Sequence, residues 1–266
     1  MTPKQGKCVF CPRPGRLTKQ HIWPRWLKKI NQPHVTSHTH ISIGSRYDEP
    51  NIIHISSRRR QGHSGTRTAR KVCKACNNGW IERLEEKIRT PLTKIMAGET
   101  IVLNTKLRRD FAAWFTLVTM MAEFSDPDTL AIPPADHRFM YDKGQPPPEW
   151  KIWIARYIGD QHHRWVLRHY GIQLADFPNV LVEPHKCDTQ VTTFVLGQLC
   201  VHTFRSTVLG APTGTDYEIT DMPRIWPLTR SNLIWPCAKV LNDKGVAHLS
   251  KGIIDLIGPA PFPLSS

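Results

Sequence analysis

Cys8-Val-Phe-Cys11, Leu17-Thr-Lys-Gln-His21-Ile-Trp-Pro24 and Cys73-Lys-Ala-Cys76-Asn77-Asn78-Gly79-Trp80 together set the architecture expected of this chain. Each Cys-x-x-Cys pair presents two thiolates at the reach of one zinc ion, and two such pairs complete a tetrahedral shell. A closed shell of four sulfurs leaves no open position, so a zinc ion held there is structural. The histidine between the pairs and the asparagine after the second are groups that zinc itself does not require. An imidazole titrating near neutrality is suited to activating water at pH 7. An asparagine side-chain oxygen at a helix start can ligate a hard cation, and a divalent ion there would polarise a scissile phosphate.

Working outward, the charge supports a polyanionic partner. The net charge of +14 lies wholly in residues 1–100, which hold 20 Lys/Arg and 6 Asp/Glu, whereas residues 101–266 hold 16 of each. A positive field concentrated beside a metal site favours nucleic acid, with DNA the leading expectation and RNA not excluded. No basic amphipathic helix stands out to favour a membrane surface. The apolar tract from Phe111 to Phe124 is too short for the roughly 20 residues a bilayer needs. The polar, basic start from Met1 to Lys19 has no signal-peptide character, so a soluble, cytoplasmic protein is expected. Seven cysteines are an odd number, and Cys187, Cys200 and Cys237 are scattered, which favours thiols and metal over a disulfide framework.

The expected fold class is α+β, in two sections. Residues 1–100 carry the cysteine pairs, with a basic insertion over 31–71; residues 101–266 form a C-terminal α+β domain of unknown role. In the insertion, Ile41-Ser-Ile43 and Ile52-Ile-His-Ile55 read as short strands interrupted by Pro33, Pro50, Gly44, Gly62 and Gly65. His34, His38 and His40 read as part of a polar loop. Arg58, Arg59, Arg60, Arg67, Arg70, Lys71 and Lys74 are candidate phosphate contacts. The spacing of Ile81, Leu84 and Ile88 predicts a helix capped by Asn77 or Asn78, with Pro91 kinking or ending it. Trp23 and Trp26 read as packing residues.

Beyond residue 100, Lys106 to Phe124 predicts a long helix with Leu107, Phe111, Trp114, Phe115, Val118 and Met121 on one side. A short helix around Asp136–Tyr141 lies between two proline clusters. Strands are expected over Trp150–Ile158, Trp165–Tyr170 and Thr192–Phe204. Arg224-Ile-Trp-Pro227 and Leu233-Ile-Trp-Pro236 form a near-echo to which the sequence assigns no purpose.

The order Cys-x-x-Cys, Leu-Thr-Lys-x-His-Ile-x-Pro, Cys-x-x-Cys-Asn-Asn-Gly-Trp resembles the HNH endonucleases with a zinc-stabilised ββα-metal core. The pattern is closest to the endonuclease VII type, in which asparagine follows the last zinc cysteine. The resemblance covers roughly residues 5–90. It implies that Cys8, Cys11, Cys73 and Cys76 bind structural Zn²⁺ and that His21 is the general base. It also implies that Gln20 and Asn77 hold a catalytic Mg²⁺ or Mn²⁺, and that DNA phosphodiester bonds are hydrolysed to a 5′-phosphate and a 3′-hydroxyl. A homodimer would allow double-strand cuts.

Two departures keep alternatives open. The residue before the histidine is usually acidic in that family, and here it is Gln20, whose amide carries no net charge. The cation is then completed by another group, or the chain binds nucleic acid without cutting it, or Gln20 is a substitution that silences an active enzyme. The second departure is the 51 residues between His21 and Cys73, expected to form an excursion within the hairpin. Asn51, His54 and His63 are all candidates for the middle residue of the signature.

Overall fold

The computed structural model of the chain describes residues 5–30, 37–46, 49–61, 64–160, 167–172, 187–211, 219, 221–229 and 232–257, the two strands within 37–61 by backbone alone. Strand β1 (Gln5–Lys7) leads into the first cysteine pair, and β2 (Pro14–His21) carries the segment that ends on the histidine. The chain then leaves the strand. Ile22, Trp23 and Pro24 form a bend into the short helix α1 (Leu27–Ile30). The reason is burial: Trp23 turns into the core, where its ring meets Trp114 and Phe194 at centroid distances of 6.3 and 5.3 Å.

The two short strands expected in the insertion are present and longer than expected. Strand β3 (Ser37–Arg46) and strand β4 (Glu49–Gln61) pair antiparallel from Ser37↔Gln61 to Arg46↔Glu49 as one continuous two-stranded ribbon. Gly44 and Pro50 sit inside it; Pro50 is at the second residue of β4, next to the only register shift, where a missing N–H is best tolerated. The ribbon thus leaves after His21 and returns ahead of β5 (Thr68–Cys73), which pairs with β2 in the three-stranded order β1-β2-β5. His34 and His63 lie outside the described residues.

From β5 the chain enters helical turns at Lys74, and Gly79 (φ −113°, ψ −105°) breaks their path before the regular helix α2 (Glu82–Ala97). Ile81, Leu84, Ile88, Leu92 and Ile95 are buried on one face, as the spacing predicts. Pro91 does not end the helix. The stop comes seven residues later at Gly98, whose left-handed φ of 79° suits glycine, with its N–H on the Ile95 carbonyl.

Strand β6 (Ile101–Leu103) precedes helix α3 (Thr105–Glu123), capped by the Asn104 side chain, which accepts from the Leu107 N–H at 2.9 Å. The expected one-sided helix is in fact buried all round from Phe111 to Glu123, because the first section covers one side and the second section covers the other. Helix α4 (Pro134–Lys143) follows. Strands β7 (Lys151–Tyr157), β8 (Leu167–Ile172), β9 (Thr189–Leu196), β10 (Leu199–Ser206) and β11 (Arg224–Trp226) make a sheet in the order β11-β7-β10-β9-β8. The Thr192–Phe204 run is therefore two strands. They turn at Gly197, where a φ of 56° and the nearby Met96 carbonyl exclude a side chain.

Strand β12 (Leu233–Trp235) pairs with β6, β13 (Val240–Leu241) runs parallel to β7, and helix α5 (Asp243–Ile257) closes the described chain. The Trp-Pro echo has a packing role. The Trp226 indole donates to the Pro147 carbonyl at 2.8 Å, and the Trp235 indole donates to the Ile95 carbonyl at 3.1 Å. Each thereby anchors a tail segment to a backbone oxygen of the core.

One hydrophobic cluster runs from Cys8 and Phe10 through α2 and α3 to Phe194 and Trp235, so both sections share a core. Several polar groups beside it are paired. Asp136 accepts from the Trp150 indole at 2.7 Å and from Arg205 Nε at 2.8 Å. His169 and His202 are pushed down to about 3 by burial and are held by Thr192 and Thr193, which marks them as neutral structural histidines. Among the described residues, no helix is long and apolar enough to cross a membrane.

Glu123 yields a pH-dependent prediction. Burial pushes its carboxyl up from near 4.5 to about 7, against the lowering effect of the Ala131 and Ile132 N–H groups that it accepts. A folded-state value above the unfolded one favours the protonated form. Its contribution to stability is therefore complete below the unfolded value and is lost as pH rises through about 7. Glu123→Gln keeps an acceptor for both N–H groups without the ionisation. Between pH 5 and pH 8 it should gain on the native protein by up to roughly 3 kcal/mol, read from urea midpoints. Identical pH dependence in the two proteins would show that Glu123 does not titrate in this range.

Candidate metal centre and adjoining polar site

The two cysteine pairs converge because β1, β2 and β5 bring the first pair against the β5–α2 junction. The Val9 N–H donates to the Lys71 carbonyl at 3.0 Å, and the Cys73 N–H points at Cys8 Sγ at 3.4 Å. The four sulfurs lie within 4.8 Å of one another, all buried, with Cys11 Sγ and Cys73 Sγ 3.6 Å apart. This is a set that can hold a metal ion such as zinc. None of the four is in a disulfide, nor are Cys187, Cys200 and Cys237, which lie outside the cluster. Burial pushes the Cys73 and Cys76 thiols up. Cys11 meets the same burial penalty, yet the Arg13 backbone N–H and the neighbouring thiols bring it down to about 7. Four buried sulfurs share charge most readily around a cation, which replaces their protons.

The polar residues singled out in the sequence lie along β2 and the helix it faces. His21 ends β2, half-buried; its Nε2 accepts from Arg25 Nε at 3.1 Å, while its buried Nδ1 has no partner. Burial, then the charges of Arg25, Lys28 and Lys19, hold its pKa below the ordinary histidine value and so favour the neutral ring. Asn77 does not cap the helix. Cys73 occupies the N-cap position, and the Asn77 side chain donates to Thr18 Oγ1 at 2.9 Å, which itself donates to the Val72 carbonyl. That leaves Asn77 Oδ1 as an acceptor.

Gln20 is the residue whose placement sequence reasoning could not supply. It is 3% exposed, and its Nε2 donates to the His21 carbonyl at 3.0 Å and reaches Glu85 Oε1 at 3.4 Å. Its Oε1 is buried without a partner. Glu85, on α2, was missed in the sequence because it reads as one of the solvent-facing acids of Glu82, Glu85 and Glu86. In the fold it is half-buried, and burial pushes its carboxyl up to about 7. The only available signal was helical spacing, which puts position 85 beside the buried Leu84 and Ile88 stripe.

The basic candidates divide. Arg58, Arg59 and Arg60 lie on β4 opposite His40, Thr39 and His38, and Asn51 and His54 lie on the same strand. Arg70, Lys71 and Lys74 are exposed at the β5–α2 junction, with Lys71 Nζ 5.3 Å from the Phe124 ring centroid. Arg67 is different: it is half-buried, and its charge acts on the buried His169. Trp26 is half-buried under Arg89.

No family model matches the chain, and no curated protein or solved structure matches it either. What fold and site define is a class: a mixed α+β protein with a buried four-cysteine cluster able to hold a metal ion such as zinc.

Proposed function

We propose that the chain is a metal-dependent DNA endonuclease of the HNH type, with Cys8, Cys11, Cys73 and Cys76 around a structural zinc and His21 as general base. The observation that carries this reading is the local order itself. Two antiparallel strands, β2 and β5, pass into helix α2 through the second cysteine pair, and the cluster ties both ends together. That frame holds His21, Gln20 and Asn77 on neighbouring positions of one strand and the helix it faces. The unpartnered Gln20 Oε1 and the Asn77 Oδ1 are neutral oxygen ligands of the kind Mg²⁺ or Mn²⁺ accepts. When bound, such an ion supplies positive charge to the scissile phosphate and the departing oxygen.

His21 takes the proton of the attacking water. Its lowered pKa keeps a lone pair available at neutral pH. With Arg25 on Nε2, the ring proton belongs on Nδ1; Arg25 is exposed, and its guanidinium can leave for a DNA phosphate, uncovering Nε2 as the base. Exposed Arg70, Lys71 and Lys74, together with the arginines on the ribbon, would bind backbone phosphates. A two-stranded ribbon is also of a width that the major groove admits.

A second reading, a zinc-stabilised nucleic-acid-binding protein without catalysis, rests on Gln20, which places a neutral group where a carboxylate would bind the cation. Supercoiled plasmid with Mg²⁺ or Mn²⁺ separates the two when the native chain and Gln20→Glu are compared. Nicked or linear product from the native chain is expected on the endonuclease reading. Product from the Glu variant alone identifies a silenced nuclease. Salt-sensitive binding with no cutting by either protein would overturn the endonuclease reading in favour of the second.

A further inference from the structure

We infer that Glu85 supplies the anionic ligand of a divalent-cation site, with the Gln20 amide oxygen beside it, so that the charge absent from position 20 is delivered from helix α2. The inference rests on the proposed endonuclease reading for its purpose but on separate observations for its location.

The first observation is an unbalanced carboxylate. Glu85 is half-buried in a chain of net charge +14, yet among the described residues it has no ion pair and its one hydrogen-bond partner is the neutral Gln20 amide. Withdrawn carboxylates are normally paired or bound to metal. The first section offers abundant cations, and Arg89 one turn further along α2 instead pairs with the exposed Glu86. A carboxylate left without an ion pair among the described residues of so basic a section is suited to a cation from solution.

The second observation is the unpartnered oxygen. Gln20 is almost fully buried, and its Oε1 accepts no hydrogen bond. Rotating the amide by half a turn exchanges its oxygen and nitrogen with little change in shape. The oxygen would then face Glu85 Oε1 across the 3.4 Å now spanned by Nε2. Two acceptor oxygens facing each other repel unless a cation lies between them, where they become a ligand pair. The rotation gives up both Nε2 hydrogen bonds, to the His21 carbonyl and to Glu85, about 1 kcal/mol for the neutral one and more for the one to the carboxylate. It turns the oxygen towards the His21 carbonyl too, so only a cation bound among these oxygens offsets it. Oxygen donors of mixed charge suit Mg²⁺ or Mn²⁺ rather than a second zinc in a sulfur shell.

The test is Mn²⁺ binding to the zinc-loaded full chain, followed by the electron paramagnetic resonance signal of free Mn²⁺, with plasmid cutting measured in parallel. One Mn²⁺ per chain is expected. Glu85→Gln should weaken it by roughly tenfold or more, and Gln20→Glu should strengthen it by a similar factor. Both substitutions are near-isosteric, and zinc content together with the circular dichroism melt shows whether each variant is folded. Should a variant fail to fold, Glu85→Asp, which keeps the charge and shortens the reach, takes its place and should also weaken binding. Unchanged Mn²⁺ affinity in a folded Glu85 variant overturns the assignment, as does no Mn²⁺ binding by either the native chain or Gln20→Glu. The two readings fail separately. Glu85-dependent Mn²⁺ binding without any cutting removes the endonuclease and keeps the cation site. Cutting with Mn²⁺ affinity indifferent to Glu85 does the reverse.

Discussion

Cys73→Ser is expected to lose bound zinc and, with it, cooperative folding of the section that carries the cysteine pairs. Cys73 joins three structural roles. It is the last residue of β5, it occupies the N-cap position of the turns leading to α2, and its sulfur lies 3.6 Å from Cys11 Sγ. The cluster ties the start of the chain to the β5–α2 junction, because β1 is three residues long and the ribbon enters and leaves between β2 and β5. Metal-binding energy in such a site is folding energy, on the order of 10 kcal/mol for structural zinc in small modules. A serine hydroxyl in place of the thiolate is a poor zinc ligand and leaves a buried polar group among three sulfurs. Two measurements check this: zinc per chain by atomic absorption, and the thermal midpoint of the native protein with and without a strong chelator. The native chain should carry one zinc, lost from the variant, with a fall in midpoint of about 10 °C or more. A variant that retained the metal and melted with the native protein would remove the cluster from any role in stability.

The second large effect concerns chemistry. His21→Ala should reduce plasmid cutting by roughly 10²- to 10⁴-fold, the usual contribution of a positioned general base, while the melt changes little. The ring is half-buried at a strand end, and its one hydrogen bond is to the exposed Arg25, so its removal leaves no large cavity. Zinc content should remain that of the native chain, since no cysteine is touched. Native-rate cutting by the folded variant would show that His21 is not the base. Loss of cutting together with loss of zinc would instead indicate a structural role.

Much of the local architecture was legible in the residues. The helix face of Ile81, Leu84 and Ile88 and the long helix before Phe124 follow from periodicity, and the structure contains both. The four-cysteine cluster was legible because ligand chemistry is local: two thiolates per Cys-x-x-Cys need only be brought together once. Where the sequence misled, a non-local contact was responsible. Glycine and proline suggested short, interrupted strands at Ile41–Ile43 and Ile52–Ile55, but cross-strand pairing carries the ribbon past Gly44 and Pro50. Asn77 looks like a cap, yet the neighbouring strand offers it Thr18.

What the amino-acid sequence determined by itself was the inventory: a basic first section, four thiolates in two pairs, an imidazole between those pairs, and an apolar complement large enough for a packed core. Only the tertiary structure decided which of these groups meet. Gln20 and Glu85 are 65 residues apart, and their 3.4 Å contact exists because β2 packs across α2 after the ribbon has left and returned. Periodicity reports which face of an element is apolar. It does not report which other element covers that face, and the pairing of a buried amide with a withdrawn carboxylate depends on that second fact.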